Sequence, residues 1–188
     1  LAKSADYEAR AAVAGNPSAP PDLLAALTSD TDSDVRVALA ANPGIDDATV
    51  RRLAHDDDDD VRAAIATRSS LPPELLAALI ADSDWEVRRA AVPHPAATTA
   101  SLSTLAAGET DRDVLKALAL RQDLHVDVLR ALGQSRDRDA KRTAAAHPNT
   151  PADVLSSLAD DYHSDTRSQL AANPSTPGSA LLKLAQDS

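Results

Sequence analysis

Residues 29–43 read SDTDSDVRVALAANP, and the same frame returns as HDDDDDVRAAIATRS at 55–69 and as ADSDWEVRRAAVPHP at 81–95. Each return comes 26 residues after the last. Aligned on Arg36, the equivalent positions are Arg10, Arg36, Arg62 and Arg88 at steps of 26, Leu115 after a step of 27, then Lys141 and Arg167 at 26 again. A period of this length carried through a whole chain is the signature of a solenoid, in which each unit buries its apolar face only against its neighbours.

In six of the seven units the first half carries an apolar residue one place before the ladder position, with Thr166 in the seventh, and every unit carries another three places after it. Val35 and Leu39, Val61 and Ile65, and Val87 and Ala91 are examples. This i, i+4 pair draws one stripe on a helix. Asn-Pro or His-Pro ends the stripe in five of the seven units, because proline disfavours helical backbone in the residue before it. The second halves open on proline or acidic residues and carry spaced leucines, as in PPDLLAAL (20–27), PPELLAAL (72–79) and PADVLSSL (151–158). Proline at the first turn followed by Asp or Glu is a helix start. The Asp-rich links between units place carboxylates where they cap helix amides and offset the dipole. Helices of two to three turns do not hold in water alone, so stacking supplies their stability.

The reading is an all-α solenoid forming one helical-repeat domain over residues 1–188. Its seven units fall at approximately 4–29, 30–55, 56–81, 82–107, 108–134, 135–160 and 161–188. The single insertion, where Gly108 stands in the aspartate's place before Leu115, predicts a bend or weak joint at 106–115.

Composition narrows the function classes. The formal charge is −10, the wrong sign for a general nucleic-acid binder, and it biases the surface toward basic partners. With no Cys there is no disulfide, no thiolate metal site and no cysteine nucleophile. No apolar run approaches the ~20 residues of a membrane span and no signal peptide is visible, so a cytoplasmic location is expected. The chain opens on Leu1 and contains no Met, which suggests a piece of something longer.

The pattern VRxALAxNP, then PPxLLxxL, then DxDVR resembles the leucine-rich repeat variant family over essentially the whole chain. The segment DSDWEVRRAA (82–91) also resembles a HEAT or PBS-lyase-like repeat, although those repeats are longer than 26 residues. The resemblance implies a right-handed superhelix in which α-helices alternate with short helices of 3₁₀ type. Some members of the family carry a Cys-ligated iron–sulfur cluster ahead of the repeats, and a chain without Cys has no ligands for one. The family motif is a packing motif, so it implies no catalytic residues.

Two readings compete for the ladder Arg10, Arg36, Arg62, Arg88, Lys141 and Arg167. One is stitching between units through the aspartates six places earlier, namely Asp30, Asp56, Asp82 and Asp161; the other is an anion-binding row. His55 with Asp56–Asp60 fills linker slots and lacks the spaced glycine and distal glutamate of a calcium loop, so no metal is expected. His94 and His147 stand in the slot of Asn16, Asn42 and Asn173 as helix-ending residues. No triad, paired-carboxylate site or phosphate loop is present, and no cofactor is expected.

The informative slots are those that vary. Three places before the ladder stand Tyr7, Ser33, Asp59, Trp85, Arg112, Arg138 and Ser164, a mixture no tight core accepts. One place after it, Arg89, Lys116 and Arg142 follow one another in units four to six. A solvated helix face accounts for that basic row; a stripe engaging an acidic peptide or a phosphate-bearing ligand is the alternative. The leading expectation is therefore a non-catalytic protein–protein interaction or scaffold module. It would bind a protein or peptide partner through Trp85, Arg89, Lys116, Arg142 and Tyr7. The alternative is a regulatory repeat domain of a larger protein, one with an upstream redox cluster. Nucleic-acid binding is disfavoured by the acidity and the few aromatics. Leu181 and Leu184 lack a polar capping repeat, which leaves self-association through open ends as a further expectation.

Overall fold

The computed structural model describes residues 6–186. The outer ends of the first and last sequence units, and the chain start at Leu1, lie outside that range. Among the described residues the chain forms fourteen helices and no strands. Seven are the first halves of the units: α1 (Tyr7–Ala14), α3 (Ser33–Ala41), α5 (Asp59–Ala66), α7 (Trp85–Ala91), α9 (Arg112–Ala119), α11 (Arg138–Ala146) and α13 (Ser164–Ala172). Seven are the second halves: α2 (Pro21–Leu27), α4 (Asp47–Leu53), α6 (Pro73–Ile80), α8 (Thr99–Gly108), α10 (Val126–Gln134), α12 (Ala152–Leu158) and α14 (Gly178–Ala185). All fourteen are α-helical, so the short helices of 3₁₀ type implied by the family resemblance do not occur among the described residues. Seven to ten residues suffice for the ordinary i→i−4 pattern once neighbours cover the apolar side.

The acidic links act as caps. The Asp32 carboxylate accepts from the amide of Asp34, that of Asp58 from Asp60 and Val61, and that of Asp84 from Glu86 and Val87. Asp111 and Asp137 do the same for α9 and α11. Such caps contribute about 1 kcal/mol each to helices too short to persist alone. The even-numbered helices that follow prolines, α2, α6, α12 and α14, start without a side-chain cap. Proline's fixed φ and missing amide already suit a first turn.

Packing divides the chain into two compact units, the first running through Ala96 and the second beginning at Ala97. In the first unit α1, α3, α5 and α7 stack in order, and α2, α4 and α6 each lie against the odd helix that follows. Its core is filled from the odd helices by Val35, Leu39, Val61, Ile65 and Val87, and from the even ones by Leu24, Leu53, Leu76 and Leu79. In the second unit α9, α11 and α13 stack, and α8, α10, α12 and α14 form a parallel row beside them. Leu115, Leu118, Leu129, Leu132 and Leu155 are its largest buried side chains. A Leu of this kind contributes about 1.5–3 kcal/mol by leaving water, which is what fixes helices of two turns in place. No helix among the described residues is long and apolar enough to cross a membrane.

Candidate binding face

The ladder residues face into the stack. Arg36 donates from Nε and Nη2 to both carboxylate oxygens of Asp56, at 2.8 and 2.9 Å, and from Nη1 to the backbone oxygen of Asp30 at 2.8 Å. Arg62 repeats this with Asp82 and the carbonyl of Asp56. Arg10 holds Asp30, and Lys141 holds Asp161 at 2.7 Å. Each carboxylate thus pairs with the cation 20 residues earlier, and the cation six residues later donates to the same aspartate's backbone carbonyl. This corrects the pairing expected from the sequence: Asp30 and Arg36 meet through the main chain, and the carboxylate belongs to the preceding unit's arginine. Arg88 and Arg167 reach the carbonyls of Asp82 and Ser83, and of Asp161 and Tyr162, in the same manner.

Leu115 is 1% exposed and joins the core of the second unit. The residue 20 places beyond it is Ser135, so both members of the ionic pair are replaced together and no charge is stranded. The aspartate's local work passes to Glu109, six places before Leu115, whose carboxylate accepts from the amides of Thr110 and Asp111. Gly108, which the sequence spacing places in that role, is instead the last residue of α8.

A second ladder, not apparent in the sequence, runs along the slot of Asn42. Asn42 donates from Nδ2 to the carbonyls of Ala14 and Asn16, and Asn173 to those of Ala145 and His147. Arg68 fills the slot in its unit and donates from Nη1 to Ala40 and Asn42. His147 Nε2 lies 2.8 Å from the carbonyl of Arg121. Asn, Arg and His look unrelated by type. They share a donor reaching 26–28 residues back, and the signal the sequence held for it was their common slot in the repeat.

The variable slots lie toward solvent. Tyr7 is 43% exposed on α1, and Trp85 is half-buried at the start of α7 with the Arg89 guanidinium 5.6 Å above its ring centre. Both belong to the first compact unit. Lys116 and Arg142 belong to the second and line one open groove between α9 and α11, with Arg112, Asp139 and Gln169. The structure therefore brings together Trp85 with Arg89, and Lys116 with Arg142, as two separate pairs. Lys116 is 2.6 Å from Asp113, while Arg142 and Arg112 flank Asp139 at 3.3 and 3.1 Å. In the first unit Arg89, Arg68 and His94 line a groove between the C-terminal ends of α5 and α7. Tyr162, absent from the sequence-based site, is 90% exposed and meets the His163 ring edge-on. Among the described residues no group of three or more His, Cys, Asp or Glu is placed to hold a metal ion.

The leucine-rich repeat variant family matches residues 7–32 and 59–84, two stretches of one repeat length each that begin two periods apart. A solved structure described as a leucine-rich repeat variant with a novel repetitive protein structural motif matches with a TM-score of 0.63 at 24% identity. The match covers 89% of this chain and 71% of that one, and it shows a shared repeat fold. No curated protein matches the chain.

Proposed function

Starting from a solenoid of leucine-rich repeat variant units, we propose that the chain is a non-catalytic protein-interaction module. Its candidate binding surfaces are two, each taken by itself: the solvent side of α7 in the first compact unit and that of α9 and α11 in the second. The observation that carries this reading is the division of labour among basic residues. Arg10, Arg36, Arg62 and Lys141 are consumed in joining units, whereas Arg89, Lys116 and Arg142, one place further along, stand at the surface beside grooves. Trp85 adds an aromatic body with low conformational freedom, the kind of residue that anchors interfaces.

The test is selection of peptides from a random displayed library on the intact chain, followed by direct binding to Trp85→Ala, Arg89→Glu, Lys116→Glu and Arg142→Glu. Enriched peptides should bind at least tenfold more weakly to one of these pairs of variants, as loss of a hot-spot contact requires. Enriched peptides indifferent to all four would place the face elsewhere, and a library that yields none would sink the reading.

A further inference from the structure

In a chain of net charge −10, cations without a carboxylate beside them are uncommon, and two of them share one groove. Arg68 and Arg89 form no ion pair among the described residues, and the groove they line with Thr67, Ser69 and His94 has no acidic side chain in its wall. The groove between α9 and α11 differs on this point: each of its cations lies against Asp113 or Asp139, so an incoming anion would have to displace an existing carboxylate.

Each arginine of the first groove is held from behind. Arg68 spends Nη1 on the carbonyls of Ala40 and Asn42, which fixes the plane of its guanidinium and leaves its other donors without a protein acceptor. Burial lowers its pKa from the ordinary arginine value, with Asp47 the one charge acting against that shift. Arg89 is exposed and lies over the Trp85 ring, its guanidinium carbon 5.6 Å from the ring centre. Ser69 adds an exposed hydroxyl able to donate, whereas Thr67 spends its own proton on the carbonyl of Ala64. Two guanidinium groups beside the Ser69 hydroxyl, with no carboxylate in the groove wall, are the chemistry that recognises an oxyanion.

We propose that the groove between α5 and α7 binds an acidic peptide, receiving a carboxylate- or phosphate-bearing side chain between Arg68 and Arg89. The proposal rests on the interaction reading above and names the partner chemistry for its first face. Charge complementarity selects the occupant, since cations exposed without counter-ions attract an anionic segment over a Debye length of about 10 Å at 0.1 M salt.

Trp85 is the single tryptophan of the chain and lies against Arg89 of the groove wall, so its fluorescence reports on that arginine. The intact chain is titrated with a Glu-Ser repeat decapeptide, with the same peptide carrying phosphoserine, and with inorganic phosphate, with calorimetry in parallel. Both peptides should perturb Trp85 emission saturably at low ionic strength and lose affinity as salt rises. Arg89→Glu should weaken binding about tenfold or more, the scale of a lost charge-assisted contact. Arg68→Asn should weaken it as well while keeping the fold, because asparagine makes the same inter-unit hydrogen bonds at Asn42 and Asn173. Arg136→Glu, the same charge change at an exposed residue that does not line the groove, should leave binding intact.

Absence of a saturable response to either peptide, or unchanged affinity in both groove variants, overturns the proposal. Free phosphate binding as tightly as the phosphopeptide would make this a site for the ion. A Trp85 response that follows protein concentration without peptide would assign the groove to the acidic links of a second copy. Either result overturns the peptide reading. If acidic peptides fail while library-selected ones still bind and depend on Trp85, only this inference falls.

Discussion

Arg36 grips both carboxylate oxygens of Asp56 across 20 residues of chain, so one side chain sets the stacking distance between two consecutive units. The pair is largely buried, with 15% and 11% of the two side chains exposed. Removing one member strands the other, whereas removing both need not. Asp56→Ala should therefore cost about 2–3 kcal/mol in urea unfolding. The double variant Arg36→Leu with Asp56→Ser should recover most of that, because it installs the Leu115–Ser135 combination already used in the second unit. Additive losses in the double-mutant cycle would refute this account of the joint.

The same pairs set an acid limit. Asp30, Asp56, Asp82 and Asp161 all sit below the ordinary aspartate value of 3.8. For Asp30 the hydrogen bond from Arg10 leads. For the other three burial pushes upward and is outweighed by the hydrogen bond from Arg36, Arg62 or Lys141 together with a backbone amide two residues on. A carboxylate whose folded pKa is depressed contributes stability that is complete above its unfolded pKa and is lost as pH falls through the folded one. The melting temperature should be flat on the alkaline side of about pH 5 and fall progressively below about pH 4. Asp56→Asn should flatten that fall, and an unchanged profile would show that other carboxylates dominate.

Asn42 is 1% exposed and its Nδ2 satisfies two carbonyls of the preceding unit. Asn42→Ala should cost about 1–3 kcal/mol, the range for leaving buried polar groups unpaired. Asn42→His should cost clearly less, since His147 holds the equivalent position. Thermal melts of the two variants decide between a donor requirement and a size requirement.

Thr166 is fully buried in α13, and its hydroxyl has no hydrogen-bond partner among the described residues. The same slot holds Val35, Val61, Val87 and Val114, all fully buried. Thr166→Val should stabilise the chain by about 1 kcal/mol, seen as a higher midpoint in urea with unchanged slope.

Gly133 lies inside α10, where alanine would ordinarily gain about 1 kcal/mol of helix propensity. A Cβ there would stand 2.5 Å from Val154 Cγ1, and Val154 is itself buried in α12. Gly133→Ala should therefore destabilise, by about 1–3 kcal/mol as overpacking does, and Val154→Ala in the same chain should relieve it. A stabilised single variant would show that α12 moves aside freely.

Much of this was legible before any coordinates. The Asp–x–Asp links announced caps, the i, i+4 apolar pairs announced the buried stripe, and Asn-Pro announced helix ends, because each is an interaction within one turn of chain. The ladder was legible as a ruler but mispaired. Asp30 lies six residues from Arg36 and 20 from Arg10, and sequence distance favours the nearer. The Arg68 groove was missed for a related reason. Arg68 stands in the slot that holds Asn42 in the unit before and His94 in the unit after, and its role as a donor shows only in its bonds to the carbonyls of Ala40 and Asn42.

By itself, then, the sequence determined the period, the paired helices of each unit and which face of the first helix turns inward, all consequences of local backbone chemistry repeated about every 26 residues. The tertiary structure decided which carboxylate answers which cation, and hence which cations are left over at the surface. In a chain with 29 acidic and 19 basic residues the possible pairings are degenerate in one dimension. Only the stacking of one unit on the next selects among them, bringing Asp56 to Arg36 and leaving Arg89 exposed beside Trp85.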